Sequence, residues 1–465
     1  MPTGKPSHAV VLGGGLAGTL AATVLTRHVD VVTIIERDRL PDGPVHRGGT
    51  PQAYHTHVLV SGGARALDEL LPDTTRELLD HGAQHIGAPN RLLALVSSGW
   101  YERFEEMQYL ISCSRSLLDW IVRRRVLSDP RISVRQATDA IGLLGGPKQV
   151  TGVRLRDRPN GQTSEIEADF VVDATGHGSA VIEWLATLGV PAPAEVHIDP
   201  QVFYSTRLYQ APDAARDEFP EINIMSDPAR TDYVKAGVLV PIEDGQWIVT
   251  LVGTRDHQPP TDEAGFAAYA RSLRHPIIAD LIDTAQPLTS PRGFRIPGNR
   301  RRHFHDLPDW PSGFVVLGDA ACTFNPIYGH GMAIAARGAL ALDAGLHRHG
   351  INNGAHRIQR DIADEADLAW EMATRQDLRY PTTLGPRPGS VARLQQRFLD
   401  RVTSAATTRP AVAAAQLDVY TLSGPPRRLL APRVLFGTLL GPRRRARIEP
   451  PLTADERPTS SRPST

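Results

Sequence analysis

The apolar run Ala9-Val-Val-Leu12 passes directly into Gly13-Gly-Gly-Leu-Ala-Gly18, with glycines 13, 15 and 18 in G-x-G-x-x-G register. Few sequence features restrict a fold more. The first glycine allows a tight turn, and the second lets backbone approach a pyrophosphate. The third lets a helix pack closely on the preceding strand. Residues 17–27 have helical character, and Val29–Glu36 reads as a second strand ending in an acid 18 residues beyond Gly18. The result is a βαβ unit. Its helix start, at Leu16 and Ala17, offers free N–H groups to phosphate, and Glu36 is placed to accept hydrogen bonds from ribose hydroxyls.

A second segment lies about 300 residues downstream. Phe314-Val-Val-Leu-Gly-Asp-Ala-Ala321 is again strand-like and ends in an acid, Asp319. Asn325-Pro-Ile-Tyr-Gly-His-Gly331 follows, then an Ala-rich helix opening at Met332. Pro326, Gly329 and Gly331 shape the entry to that helix. Its N–H groups suit the pyrimidine edge of an isoalloxazine, where they stabilise negative charge on reduced flavin. One βαβ unit does not separate NAD from FAD. A second acid and a second helix start, returning to the same dinucleotide, point to FAD held along its length.

Composition narrows the rest. Lys plus Arg and Asp plus Glu each number 51, so the chain is formally neutral, which argues against nucleic acid as a partner. Cys113 and Cys322 are the only cysteines and form no framework, so reduced thiols and a cytoplasmic location are expected. Met1–Pro6 leads straight into strand pattern, and no signal peptide is expected. No apolar run is long enough to cross a bilayer.

The organisation expected is α/β. A Rossmann-like FAD-binding domain of the GR2 type is interrupted by an antiparallel β-sheet substrate domain and followed by a helical C-terminal region. FAD-binding segments are placed at 1–90, 111–189 and 301–348, with a β excursion at 91–110 and the substrate sheet at 190–300. The helical region covers 349–450, and 451–465 reads as a disordered tail. Ser61–Asp80 and Ser114–Leu127 have helical spacing. Ile132–Val134, Ala140–Leu144 and Val150–Leu155 read as a meander, and Phe170–Asp173 as a buried strand. Val434–Leu440, ahead of Arg443-Arg-Arg445, reads as a packed helix with a solvated basic end rather than a lipid-binding face.

These segments resemble the FAD-dependent monooxygenases of the aromatic-hydroxylase fold, whose second flavin signature is Gly-Asp-Ala, here Gly318-Asp-Ala320. Four further stretches look like the flavin epoxidases of polyether antibiotic assembly. They are Pro51-Gln-Ala-Tyr-His-Thr-His57, Ser112–Trp120, Asp173-Ala-Thr-Gly-His-Gly-Ser179 and Asn325–Met332. The resemblance implies an FAD monooxygenase using O2 as co-substrate, with a flavin C4a-hydroperoxide as oxygen donor. It implies Arg115, with Arg37 or Arg47, on the FAD phosphates or ribitol, and Asp173 and Gly176 at the cofactor. The Asp-Gly pair of the common hydroxylases is replaced by Ala174-Thr-Gly176. Electrons therefore come either from NAD(P)H or from a separate flavin reductase.

The implied substrate is a hydrophobic polyene or polyketide, free or on a carrier protein, whose carbon–carbon double bonds are epoxidised. Hydroxylation of an aromatic or polyketide substrate, and reduction of prenyl-chain double bonds, are the alternatives. Phe203, Tyr204, Trp247 and Phe294 are pocket candidates, with ordinary core packing as the other role open to each. No protein group is assigned as catalytic, because the flavin carries the chemistry. His55 and His57 lack the further ligands a metal site needs, so no metal is expected.

Overall fold

The computed structural model describes residues 6–215, 218–227, 234–295, 298–445 and 447–457. Five parallel strands form the nucleotide-binding sheet, in the spatial order Phe314–Val316, Phe170–Asp173, His8–Leu12, Val31–Ile35 and Ile132–Arg135. Ala9, Val10, Val11 and Leu12 are all fully buried. Such unbroken burial is what a parallel strand covered on both faces requires. The helix Leu16–Leu25 lies against this sheet and contacts the long helix Gly331–Asn353.

That order brings three carboxyl-terminal strand ends side by side. Ala174 N–H donates to Leu12 C=O at 2.8 Å, and Leu317 N–H donates to Asp173 C=O at 2.8 Å. Segments far apart in sequence therefore meet at one edge, where open α/β sheets bind ligands.

The second large sheet runs Gln286–Pro287, Val202–Gln210, Gln246–Thr254, Ala236–Ile242, Glu221–Ile224, Leu92–Val96 and Gly99–Trp100, with Arg292–Arg295 also on Val202–Gln210. It was expected to be antiparallel, but Glu221–Ile224 pairs with Leu92–Val96 in parallel. The 91–110 excursion reaches across and supplies that strand. One face of the sheet is covered by helices Glu263–Arg271 and Ile277–Ile282. The other faces the FAD-binding sheet's loops: Thr56 Oγ1 lies 2.8 Å from Thr250 Oγ1, and Val58 packs near Val240 and Ile248.

Other expectations are also corrected. Ile132–Arg135 is not part of the meander; it follows the helix Arg115–Val126 back into the parallel sheet beside Val31–Ile35. Ser61–Asp80 is two helices, Ser61–Leu70 and Thr74–Asp80. Pro72 lacks an N–H, and Asp73 is left-handed at φ 68°. The tail is ordered through 457: Leu452 is buried, and Arg103 Nη1 lies 2.6 Å from Glu456 Oε2. Residues 458–465 lie outside the described set. In Pro432–Leu440 only one side is packed, through Val434 and Gly437, while Phe436, Leu439 and Leu440 are exposed. Among the described residues no helix is long and apolar enough to cross a membrane.

Candidate functional site

The glycines divide into those that hold the protein together and those that leave space. Gly13 sits at φ 96°, and a Cβ there would lie 2.5 Å from Ala174 O. A Cβ on Gly18 would overlap the Gly13 carbonyl. Gly318, at φ 65°, would bring its Cβ within 2.9 Å of the Ala17 side chain, so the two distant segments touch. By contrast, a Cβ on Gly15 meets nothing nearer than Arg47 Nη2 at 3.8 Å, and one on Gly331 meets nothing within 4 Å. Those two glycines border open space at the two helix starts.

Glu36 is buried and braces the loop: its Oε2 accepts from Gly14 N–H at 2.8 Å, and its Oε1 accepts from Asp38 N–H at 2.9 Å. Arg47 Nη1 lies 2.8 Å from Glu36 Oε2, and Nη2 donates to Gly14 O at 3.4 Å. The acids Glu36 and Asp38 hold the Arg47 guanidinium charged despite its burial. Arg47 Nε is buried with no partner. Arg37 is exposed, so of the two arginines it is Arg47 that reaches the loop.

Arg115 opens its helix immediately after the cap Ser114, whose side chain accepts from Leu117 N–H at 3.1 Å. Its Nε donates to Asp119 Oδ1 at 2.7 Å. Asp319 is half-buried at the end of its strand. Burial raises its pKa, and the charges of Arg115 and Arg300 oppose the rise. Among the described residues nothing donates a hydrogen bond to its carboxylate. Asp173 differs: its buried carboxylate accepts from Thr175 N–H at 3.0 Å, Thr175 Oγ1 at 2.6 Å and Ser179 Oγ at 2.5 Å. Those bonds lock the turn through Gly176, at φ 80°, so Asp173 shapes the loop. Leu16 and Met332 are buried in the main core, so only their backbone groups serve the helix starts. Pro326 begins a short turn capped by Asn325, and Gly329 ends it at φ 69°.

The turn is anchored from below by a buried network that the sequence did not reveal. Asn325 accepts from Tyr204 Oη and donates to Asp377 at 3.2 Å. Tyr328 Oη and Asn299 Nδ2 donate to Asp377 at 2.5 and 2.6 Å. Burial raises the Asp377 carboxyl to about 6.

Strand alternation sorts the four pocket candidates. Tyr204 and its cross-strand partner Phe294 lie on the face toward the FAD-binding sheet's loops. The His55 ring is 5.0 Å from that of Phe294 and 6.4 Å from that of Tyr204. Phe203 and Trp247 have the opposite parity. Trp247 packs on Phe219 in the core beneath the covering helices, and Arg295 stacks over Phe203. Neither faces the cofactor side.

His55 Nδ1 lies 2.7 Å from Thr206 Oγ1, and His57 Nδ1 lies 2.8 Å from His55 O. Burial lowers both imidazoles to about 4, so they are neutral at pH 7 and tied to the chain. His303, His305 and Asp306, on a separate turn, bring potential ligand atoms within 4.8 Å of one another, a grouping the sequence reading did not single out.

The family described as FAD binding domain matches residues 7–357. Protein Rv3254 of Mycobacterium tuberculosis (strain ATCC 25618 / H37Rv) is 31% identical over 443 residues, covering 90% of each chain. The 6-methylpretetramide 4-monooxygenase of Streptomyces rimosus is 25% identical over 395 residues, covering 80% of this chain and 83% of that protein. In three dimensions, a flavoprotein/dehydrogenase from Cytophaga hutchinsonii superposes with a TM-score of 0.64 at 16% identity, covering 93% of this chain and 96% of that one. Two glycine-rich helix starts around one open edge, and a family match spanning both, place the chain in the FAD binding domain family.

Proposed function

We propose that this protein is an FAD-dependent monooxygenase that epoxidises carbon–carbon double bonds of a hydrophobic polyene or polyketide. The observation that carries the reading is the sheet face toward the flavin segments. Val202, Tyr204, Ala236, Val252 and Phe294 form one apolar group on it, and Val238, Val240 and Ile248 another. The imidazoles beside it, His55 and His57, are held neutral.

In this reading Gly15, Leu16 and Ala17 present N–H groups to the FAD pyrophosphate. Arg47 uses its unpaired Nε on the cofactor and, with Arg115, offsets phosphate charge. Glu36 accepts from the adenosine ribose with the lone pairs its braces leave free. Asp319 accepts from a ribitol hydroxyl, and the helix opening at Gly331 faces the pyrimidine edge. Bound FAD, once reduced, supplies with O2 an electrophilic oxygen atom. The chain positions the alkene and excludes water, which an isolated double bond needs more than it needs a base. The reducing electrons come from NAD(P)H directly or through a flavin reductase.

Hydroxylation is the second reading. It is favoured by the match to 6-methylpretetramide 4-monooxygenase over most of both chains. The test is product analysis after incubation with FAD, a flavin reductase, NADH, O2 and a set of polyenes and phenolic polyketides. An acid-labile epoxide supports the proposal, and a stable phenol supports the second reading. A product that gains hydrogen and no oxygen overturns both.

A further inference from the structure

Two buried polar atoms, one on the large sheet and one at the start of the flavin-segment helix, have no hydrogen-bond partner. Glu221 is 4% exposed, and its Oε2 makes no hydrogen bond. Its orientation follows from strand register. Glu221 pairs directly with Leu92, which packs in the same apolar cluster as Ala333 and Ile334 of the flavin-segment helix. Ile222, the next residue, packs on the opposite face with Leu239 and Leu251. Glu221 therefore points to the side on which that helix begins.

His330, which immediately precedes Gly331, is 1% exposed. Its Nε2 lies 2.9 Å from Tyr420 O. A carbonyl only accepts, so Nε2 carries the proton and Nδ1 keeps a bare lone pair. That Nδ1 is buried and unpartnered. Tyr420 bears on both: its ring is 5.5 Å from that of His330, and its phenol is raised by burial and further by Glu221 when that carboxyl is ionised. Burial pushes the Glu221 carboxyl up to about 8 and the His330 imidazole down to about 4. At neutral pH one is a neutral donor and the other a neutral acceptor.

Buried polar groups left unpaired reduce stability, and they persist where a ligand completes them. We propose that Glu221 and His330 form a polar subsite for the oxygenated end of the substrate, with Glu221 donating to a carbonyl oxygen and His330 Nδ1 accepting from a hydroxyl. The substrate class is then a hydrophobic chain or ring system bearing both a hydroxyl and a carbonyl, as hydroxy-ketones and their enols do. The inference rests on the monooxygenase reading for the location of the substrate, and it is tested by binding instead of turnover.

The experiment is calorimetric titration of the FAD-loaded protein with three probes: 6-hydroxy-2-acetonaphthone, whose hydroxyl cannot bond to its own carbonyl, 2-acetonaphthone and 2-ethylnaphthalene. The native protein is expected to bind the hydroxy-ketone at least about tenfold more tightly than ethylnaphthalene. Glu221→Leu should reduce the preference conferred by the carbonyl, and His330→Phe that conferred by the hydroxyl, with ethylnaphthalene binding unchanged. Glu221→Leu should also raise the melting temperature, because it removes an unpaired buried carboxyl; a purely structural acid would give a fall. Equal affinity for all three probes, binding of none, or a preference intact in both variants overturns the subsite. Failure of oxygen transfer with the preference intact would refute the proposed reaction and leave the subsite standing.

Discussion

The cofactor edge and the sheet face opposite it are built on different principles. At the edge, most charged groups already have work within the protein. Glu36 braces Gly14, Asp173 closes its turn, and Arg115 pairs with Asp119. In the proposed reading recognition there falls mainly to backbone N–H groups beside Gly15 and Gly331, which border open space, and to Asp319, with Arg47 Nε and the remaining lone pairs of Glu36. The sheet face sets two apolar groups around a Thr206–Thr250 hydrogen bond and leaves Glu221 Oε2 unpaired, while His330 Nδ1 is unpaired at the helix start. Rigid backbone suits a cofactor that stays. A smooth wall with few polar points suits a substrate that must arrive, be oriented and leave.

That contrast is sharpest in the glycines. Gly15→Val should lower FAD affinity by about a hundredfold or more while the chain stays folded, because the side chain enters the pyrophosphate path. Gly18→Val should instead destabilise the fold by several kcal/mol, since its Cβ overlaps the Gly13 carbonyl. Equilibrium dialysis with FAD and thermal melting separate the two. A Gly15→Val protein that retains flavin breaks the account of the edge. Asp319→Ala ranks next: losing a charge-assisted bond to a hydroxyl corresponds to about 1.5–3 kcal/mol, or roughly ten- to a hundredfold in FAD affinity. Folding should be preserved, because no protein hydrogen bond to that carboxylate is lost.

The glycine spacing, and the placing of Glu36 and Asp319 just after strands, were legible in the sequence because their constraints are local. A strand, a turn and a helix start fix where backbone must approach ligand, whatever the rest of the chain does. The sheet face was not legible. Phe203 and Tyr204 are adjacent, so alternation sends them to opposite faces, and nothing local says which parity meets the flavin. Trp247 takes the core-packing role, against Phe219. Glu221 gave no signal, since a lone acid before Ile222 reads as an ordinary surface position until Leu92–Val96 joins the sheet beside it. Asp377 became meaningful only when Asn299, Asn325 and Tyr328 converged on it from remote segments.

The face also makes a pH prediction. The folded Glu221 carboxyl is raised to about 8, so its stabilising protonation is complete below its unfolded pKa and is lost as pH rises through 8. Between pH 6.5 and 8 this should lower stability by about 2 kcal/mol. The half-buried His55, His57 and His177 and the buried His330, lowered to about 4, act in the opposite direction, mainly below pH 6.5. Melting curves from pH 6.5 to 8 should fall for the native protein and stay nearly flat for Glu221→Gln. Parallel curves would mean that Glu221 is not buried as described. The smallest effect is expected of Tyr204→Phe, which removes one hydrogen bond to Asn325, about 1 kcal/mol, and shifts FAD affinity a fewfold at most.

The most direct test is a single turnover under labelled oxygen. The FAD-loaded protein is reduced without oxygen, given a bound conjugated polyene, and mixed with 18O2 with no reductase present. The account predicts product carrying a single 18O atom, in an amount approaching that of the FAD. Reoxidation with all label recovered in hydrogen peroxide or water, and unlabelled or hydrogenated polyene, would contradict it.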